Sequence, residues 1–408
     1  MFGNSKSKII TDENKINEVL TRGIENIYPS KDFLKAKLMK GERVSIYLGI
    51  DPTGPTLHLG HIIPILRLAK LQKLGHQIIL LMGDITATIG DPTDKTATRK
   101  KISHDEVMQN LKEYKKQASK FISFKGDNPA LFKFNSEWFG KMSFVDSLEL
   151  ASHATVDQMM KRDMFQRREQ EGKQIYVHEI LYPLMQGYDS VAMDVDGEIG
   201  GNDQTFNMLV GRDFMKTFKN KEKFVIATKL LVDSSGQKMG KTDGNAVALD
   251  QTPEDMFGKV MSWSDELITH GFEIITDVPM AEVQKMADDL IAGANPKAMK
   301  MRLAREIVKM CHGEKAATEA ESAFEATFSR GEFPIDAKII TAKKENKLID
   351  VLVDKKIVNS KMEFRRLVEA GAVSDYPDQK ISNFNETMGE KERKIKIGKK
   401  TFVILKPE

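Results

Sequence analysis

The sequence contains a single cysteine, Cys311, in 408 residues. One thiol cannot build an internal disulfide framework, and it excludes a zinc site made of clustered cysteines. An excess of one charge is missing too: 62 lysines and arginines face 59 acidic residues, for a net charge of +3. Any nucleic-acid-binding face must therefore be local. No apolar run is long enough to span a bilayer. The opening MFGNSKSKIITDENKINEVL has acidic residues and no apolar block ahead of a small-residue cleavage site. No export signal is read there, and a cytoplasmic location is expected. Internal repeats and low-complexity tracts are absent as well. What is present, 40% hydrophobic and 30% charged residues, is the profile of a soluble globular protein whose length suits two or three domains.

Residues 44–50, Val-Ser-Ile-Tyr-Leu-Gly-Ile, read as a buried strand, broken by Asp51-Pro-Thr-Gly-Pro55. The spacing of Ile62, Ile65, Leu66 and Leu68 predicts a helix from about His61 to Leu74, stopping at Gly75, with Pro64 in its first turn. Residues 77–82 read as a second buried strand. Strand, helix, strand makes a βαβ unit and implies a parallel sheet. Residues 104–180 are helical in pattern, with an excursion at Phe134-Asn135. A strand pair is expected near 191–199 and a strand at Phe224–Ala227. Residues 253–330 read as helices, 331–346 as a linker, and the tail from Lys347 as two short helices followed by strands.

Two clusters of residues suggest chemistry. His58-Leu59-Gly60-His61 falls where the first strand gives way to its helix, the place where open α/β sheets bind nucleotides beside a helix N-terminus. Two imidazoles three residues apart can both donate to phosphate oxygens, and Gly60 lets a ligand approach the backbone. Taken alone, such a pair is more often chance or a metal site; a zinc site would need a third ligand, and none is evident nearby. About 180 residues later, Gly236-Gln-Lys238-Met-Gly-Lys241-Thr-Asp-Gly-Asn245 is polar and glycine-rich, as a plain surface turn would be. Its two ammonium groups are also movable point charges suited to a polyphosphate.

The segment YLGIDPTGPTLHLGH resembles the first signature of class I aminoacyl-tRNA synthetases in the form typical of the tyrosine enzymes, and Lys238-Met-Gly-Lys241-Thr resembles the second. The resemblance implies an α/β fold: a Rossmann-like catalytic domain at 1–247, an α-helical anticodon-proximal domain at 248–332, a linker at 333–346 and an S4-like RNA-binding domain at 347–408. It implies a tyrosine–tRNA ligase that activates tyrosine with ATP and transfers it to tRNA. His58, His61, Lys238 and Lys241 are then the catalytic residues, and Gly49, Asp51, Thr53, Gly60, Gly201, Asp203 and Lys241 bind ATP, which magnesium accompanies. No dedicated metal site and no tightly bound cofactor are expected.

Tyr182, Gln186 and Asp189 stand at i, i+4 and i+7 and so share a helix face. A half-buried polar stripe is the plain alternative. By resemblance, Tyr182 and Gln186 take the substrate's amino end and Asp189 its phenolic hydroxyl. Tyr47 is the other hydroxyl partner, Asp91 holds the ammonium with Thr86 nearby, and Gln204 lies near tyrosine. Glu198 and Asn202 depart from the family pattern, where glutamine and serine or threonine are usual. In the tail, Lys361, Arg365, Arg366, Lys399 and Lys400 are the candidate RNA contacts, with a basic solubilising tail as the alternative. Lys161, Arg162, Arg167 and Arg168 form a second basic stretch. A homodimer and tRNA(Tyr) are the partners the family implies, with no membrane. A tryptophan-specific relative, a small-molecule nucleotidyltransferase and an RNA binder without chemistry are the competing readings.

Overall fold

The computed structural model describes residues 7–93, 102–232, 246–328, 337–377, 379–398 and 401–408, apart from the side chains of residues 163, 327 and 328. Six strands form the first sheet: β1 (Ile24–Tyr28), β2 (Ser45–Ile50), β3 (Gln77–Met82), β4 (Leu131–Phe134), β5 (Gly197–Gly201) and β6 (Phe224–Thr228). Their spatial order is β1-β6-β5-β2-β3-β4. β2 through β6 are parallel, and β1 closes one edge antiparallel to β6. Successive strands run outward from β2 through β3 to β4, then restart at β5 and run the other way to β6. The reversal falls between β2 and β5. At such a switch point the flanking connections leave to opposite faces, which opens a crevice at the carboxyl ends of the strands. β3 and β6 are buried at every position, as parallel strands covered on both faces must be.

The helix after β2 spans Leu59–Lys73, two residues earlier than its apolar spacing suggests, with His58 as its N-cap. Pro64 therefore sits in the second turn and brings no N–H to the carbonyl of Gly60. The strand pair expected near 191–199 is one strand, β5. The helix Val177–Met193 continues through the first half of that stretch and ends at Asp194 in a left-handed conformation. The excursion at Phe134 is the end of β4, and the strand at Phe224 is β6. From residue 253 to 328 the regular elements are helices, as expected: Pro253–Met261, Leu267–Ile275, Met280–Ile291, Pro296–His312 and Glu314–Phe328. Arg22 donates to the carbonyls of Phe272 and Glu273, and Arg67 to that of Ile274. These two buried guanidiniums satisfy the C-terminal carbonyls of the helix Leu267–Ile275.

By contacts the chain divides into two units, residues 1–252 with 259–307 and residues 253–258 with 308–408. The stretch 248–332, expected as one domain, is shared between them. In the second unit a five-stranded sheet has the order β7-β11-β10-β8-β9, with β7 (Lys338–Ala342), β8 (Val373–Asp375), β9 (Gln379–Lys380), β10 (Arg393–Ile397) and β11 (Thr401–Pro407). The helices Leu348–Asp354 and Lys361–Glu369 bury Leu352, Phe364 and Val368 with Ile395, Val403 and Leu405. The expected linker at 333–346 needs correction: residues 338–342 are a strand paired in parallel with β11. The lysines there hid the alternation that leaves Ile340 and Ala342 inward.

Candidate active site

The switch-point crevice is lined by the ends of β2 and β5. Asp51 follows β2 directly, and both of its carboxylate oxygens are engaged: Thr86 Oγ1 donates to Oδ1 at 2.7 Å and Tyr182 Oη donates to Oδ2 at 2.9 Å. This contact fixes Gly83, because a Cβ there would lie 2.1 Å from Asp51 Oδ1 and 2.2 Å from Thr86 Oγ1. Gly83 is a site residue that sequence reading passed over. Asn135, fully buried at the end of β4, donates to Thr86 Oγ1 at 3.0 Å and holds that hydroxyl with its proton toward Asp51.

Asp91 accepts from Thr93 N and Oγ1 through Oδ1 and from Gln204 Nε2, at 2.7 Å, through Oδ2. Gln204 in turn accepts from Asn207 and reaches Asp203 at 3.4 Å. The short turn Asn202–Gln204 at the end of β5 thus ties Asp203, Gln204 and Asp91 together. A Cβ on Gly201 would meet Asp203 Oδ1 at 2.4 Å, so the close turn needs glycine. Asn202 Oδ1 accepts from Thr205 Oγ1 at 3.1 Å, a local turn bond that a serine or threonine hydroxyl could also make.

His58 and His61 are stacked, ring centroids 3.8 Å apart, and His58 N–H donates to His61 Nδ1 at 3.3 Å. That bond leaves the ring proton of neutral His61 on Nε2. Gly60 is half-exposed, and a Cβ on it would press against the His58 ring at 3.0 Å. Gly49, near the end of β2, and Thr53, on the connection that follows, are both exposed. Lys238 and Lys241 lie outside the described residues. The segment that follows them is tied to the histidines: Leu59 N–H donates to Val247 O at 3.0 Å and Leu249 N–H to Leu57 O at 2.9 Å. Residues 247–249, which follow the second signature in sequence, are therefore paired with the first.

A deeper polar group lies between β2, β5 and the helix Val177–Met193. Tyr47 is fully buried; its Oη is 3.0 Å from Ser190 Oγ. Burial, followed by the Glu198 and Asp189 carboxylates, pushes its phenol well up. Asp189 is buried and accepts from Trp138 Nε1 at 2.9 Å. Burial raises its carboxyl well above the usual range, against the pull of the Trp138 bond. Glu198 accepts from Gln186 Nε2 at 3.0 Å and pairs with Lys223, which also donates to Ser190 Oγ at 2.7 Å. Burial lowers the Lys223 ammonium, and Glu198 opposes it. Sequence reading missed Trp138 and Lys223. Trp138 is one of only two tryptophans, a usable signal, whereas Lys223 looks like any lysine ahead of a strand.

Among the described residues no group of three His, Cys, Asp or Glu side chains could hold a metal ion. The basic stretch at 161–168 is half internal: Arg162 donates to Thr93 Oγ1, and Arg168 forms a buried fork with Glu179 at 2.8 and 3.0 Å. In the tail, Lys361 pairs with Asp350 at 2.5 Å, Arg365 stacks 5.1 Å from the Phe384 ring, and Arg366 is exposed. Lys399 and Lys400 lie outside the described residues.

Residues 39–329 match the family described as tRNA synthetases class I (W and Y). The tyrosine–tRNA ligase of Carboxydothermus hydrogenoformans is 40% identical over 403 residues, covering 95% of this chain and 96% of the relative. The chain belongs to the class I tyrosyl-tRNA synthetases. The tyrosine–tRNA ligase of Haemophilus influenzae is 36% identical over 394 residues, 96% of this chain and 97% of its own. Two solved tyrosyl-tRNA synthetases share the fold. The C-terminally truncated mitochondrial enzyme of Aspergillus nidulans has a TM-score of 0.67 at 22% identity, over 77% of this chain and 94% of its own. That of Archaeoglobus fulgidus, complexed with L-tyrosine, has a TM-score of 0.60 at 21% identity, over 76% of this chain and 100% of its own. The expected class I fold, a Rossmann-like parallel sheet followed by helices and a small α+β tail, is the fold observed.

Proposed function

We propose that the chain is a tyrosine–tRNA ligase, joining L-tyrosine to ATP as tyrosyl-adenylate and then passing the tyrosyl group to the 3′ end of tRNA(Tyr). The observation that carries this reading is the convergence, at one switch point, of the Thr86–Asp51–Tyr182 and Asp91–Gln204 bonds with the buried Tyr47 and Asp189. ATP lies over Gly49, Asp51, Thr53 and Gly60, with its ribose at Gly201 and Asp203. Tyrosine enters beneath it, ammonium toward Asp91, Thr86, Tyr182, Gln186 and Gln204, hydroxyl toward Tyr47 and Asp189.

Tyrosine's carboxylate is already ionised at neutral pH, so the reaction needs no general base. What it needs is in-line placement on the α-phosphate and stabilisation of charge on the departing pyrophosphate. His61 Nε2–H and His58 supply donors at the positive end of a helix. Lys238 and Lys241 supply cations from the segment that precedes residues 247–249 in sequence. Magnesium arrives as part of the nucleotide substrate. Phenylalanine is rejected because it would leave a buried carboxylate without its hydroxyl partner, a form of discrimination for which tyrosyl-tRNA synthetases are themselves the standard illustration.

The exposed apolar residues Phe144, Val145, Leu148, Val156, Val177 and Leu181 lie on neighbouring helices around one buried cluster, and we assign this face to a homodimer contact. The tail, with Lys361, Arg365, Arg366, Lys399 and Lys400, is assigned to tRNA, and the cytoplasm is the compartment such a substrate implies. No helix among the described residues is long and apolar enough to cross a membrane. The test is amino-acid-dependent exchange of pyrophosphate into ATP with tyrosine, phenylalanine and tryptophan. Tyrosine alone should support exchange. Equal exchange with phenylalanine refutes the pocket, tryptophan-dependent exchange favours the tryptophan branch, and none at all favours a binder without chemistry.

A further inference from the structure

Glu198 stands where the resemblance led us to expect glutamine, and its surroundings show how a carboxylate is accommodated there. Lys223 and Glu198 are both fully buried and form an ion pair. All three ammonium protons of Lys223 are used, on Glu198, on Ser190 Oγ at 2.7 Å and on Met208 O at 3.2 Å. The ammonium also lies 5.6 Å from the centre of the Tyr47 ring. Space for it is built in: a Cβ on Gly211 would lie 2.5 Å from Lys223 Nζ and 2.8 Å from Ser190 Oγ. Gly187, on the facing helix, approaches Gly211 closely as well: a Cβ on it would lie 3.2 Å from Gly211 N. Two glycines where two helices cross thus admit one cation to the wall of the pocket.

We propose that the Lys223–Glu198 pair is the positioning element of the amino-acid pocket, orienting Gln186 at the ammonium end and Tyr47 at the hydroxyl end; this rests on the tyrosine reading above. A carboxylate only accepts, so Glu198 Oε1 must face the Gln186 NH₂, at 3.0 Å. The carboxamide oxygen of Gln186 is thereby turned away from Glu198 and toward a substrate ammonium. A glutamine at 198 could pair in either sense and would leave that choice open. At the other end, Ser190 Oγ accepts from an ammonium, which polarises its own O–H as a donor. Ser190 then gives its proton to Tyr47 Oη, 3.0 Å away, and the Tyr47 proton, directed at the Gln186 carbonyl over a long 3.5 Å, turns to the substrate hydroxyl when that closer acceptor is bound. The substrate hydroxyl then accepts from Tyr47 and gives its own proton to Asp189. The buried cation thus sets the direction of a donor chain that only a hydroxylated side chain completes.

The experiment compares wild type with Glu198→Gln, Ser190→Ala and the charge-neutral double variant Lys223→Met/Glu198→Gln, which leaves no unpaired charge buried. Pyrophosphate exchange is measured per active site with tyrosine and with phenylalanine. Inhibition by 3-(4-hydroxyphenyl)propanoate, which is tyrosine without its ammonium, is measured alongside. In the double variant, KM for tyrosine should rise at least tenfold, KM for ATP should stay put, and the tyrosine-to-phenylalanine ratio of kcat/KM should fall at least tenfold. Ser190→Ala should lower that ratio alone. Glu198→Gln should weaken tyrosine while leaving inhibition by the propanoate unchanged. Wild-type KM and selectivity in the double variant overturn the proposal; should that variant not fold, wild-type selectivity in Ser190→Ala with wild-type propanoate-to-tyrosine preference in Glu198→Gln overturns it equally. Absence of exchange by wild type removes the tyrosine reading itself, and this inference with it.

Discussion

His76, between the helix Leu59–Lys73 and β3, is completely buried, and burial followed by the nearby Arg43 lowers its imidazole to about 4 from 6.5. Its folded pKa is below its unfolded one, so acidification protonates the unfolded chain first. Stability from this residue is intact above pH 6.5 and is lost as pH falls toward 4, up to about 3 kcal/mol. Urea unfolding at pH 7 and pH 5 should show a larger loss for wild type than for His76→Gln; equal losses would falsify this assignment. The same contrast between type and partner runs through the site. Helical spacing put Tyr182, Gln186 and Asp189 on one face, and that face is where they are. Their partners were not readable, because Asp51, Glu198 and Trp138 reach them from 131, 12 and 51 residues away. Periodicity reports which way a side chain points and is silent about what it meets.

Arg168 illustrates the same limit at the level of whole elements. Its fork to Glu179 joins the helix Asp163–Gln170 to the first turn of the helix Val177–Met193, where Glu179 also accepts from Tyr176 N–H at 3.0 Å. Burial alone would raise the Glu179 carboxyl, but the Arg168 fork and the Tyr176 bond hold it below its ordinary value. Arg168→Met removes one partner of a buried pair and should cost about 3–5 kcal/mol. Its exposed neighbour Arg167, changed to Met, should cost under about 0.5 kcal/mol. Thermal melts of the two variants decide this, and equal shifts would contradict the burial difference. From sequence the two arginines are indistinguishable. The elements themselves were more legible. β2, the signature helix and β3 carry strong patterns, whereas β1 and β7 are short edge strands, IENIY and KIITA, too exposed to show a clear buried pattern.

At the scale of the molecule, the apolar face around Phe144 and Val177, where Phe144 keeps 78% and Val177 73% of its surface, is the one assigned above to a homodimer contact. Val145→Lys with Val177→Asp should convert the expected dimer to monomer in sedimentation equilibrium, at unchanged far-UV circular dichroism. A dimer that persists would move the contact elsewhere. The tail makes a second prediction, and the place of β7 fixes where to cut. Removing everything from residue 337 onward should spare pyrophosphate exchange and reduce tRNA charging at least tenfold. Charging that survives intact would end the RNA-binding reading of the tail.

β11 is the hub of that tail, hydrogen-bonded to β7 on one side and β10 on the other. It is also the last of the five strands to be translated. Until it leaves the ribosome, β7 waits without its sheet partner, its single lysine, Lys338, a guard against mispairing with another nascent chain. The five-stranded sheet therefore closes only once β11 has arrived, and a chain stopped short of that strand would carry β7 as an open edge.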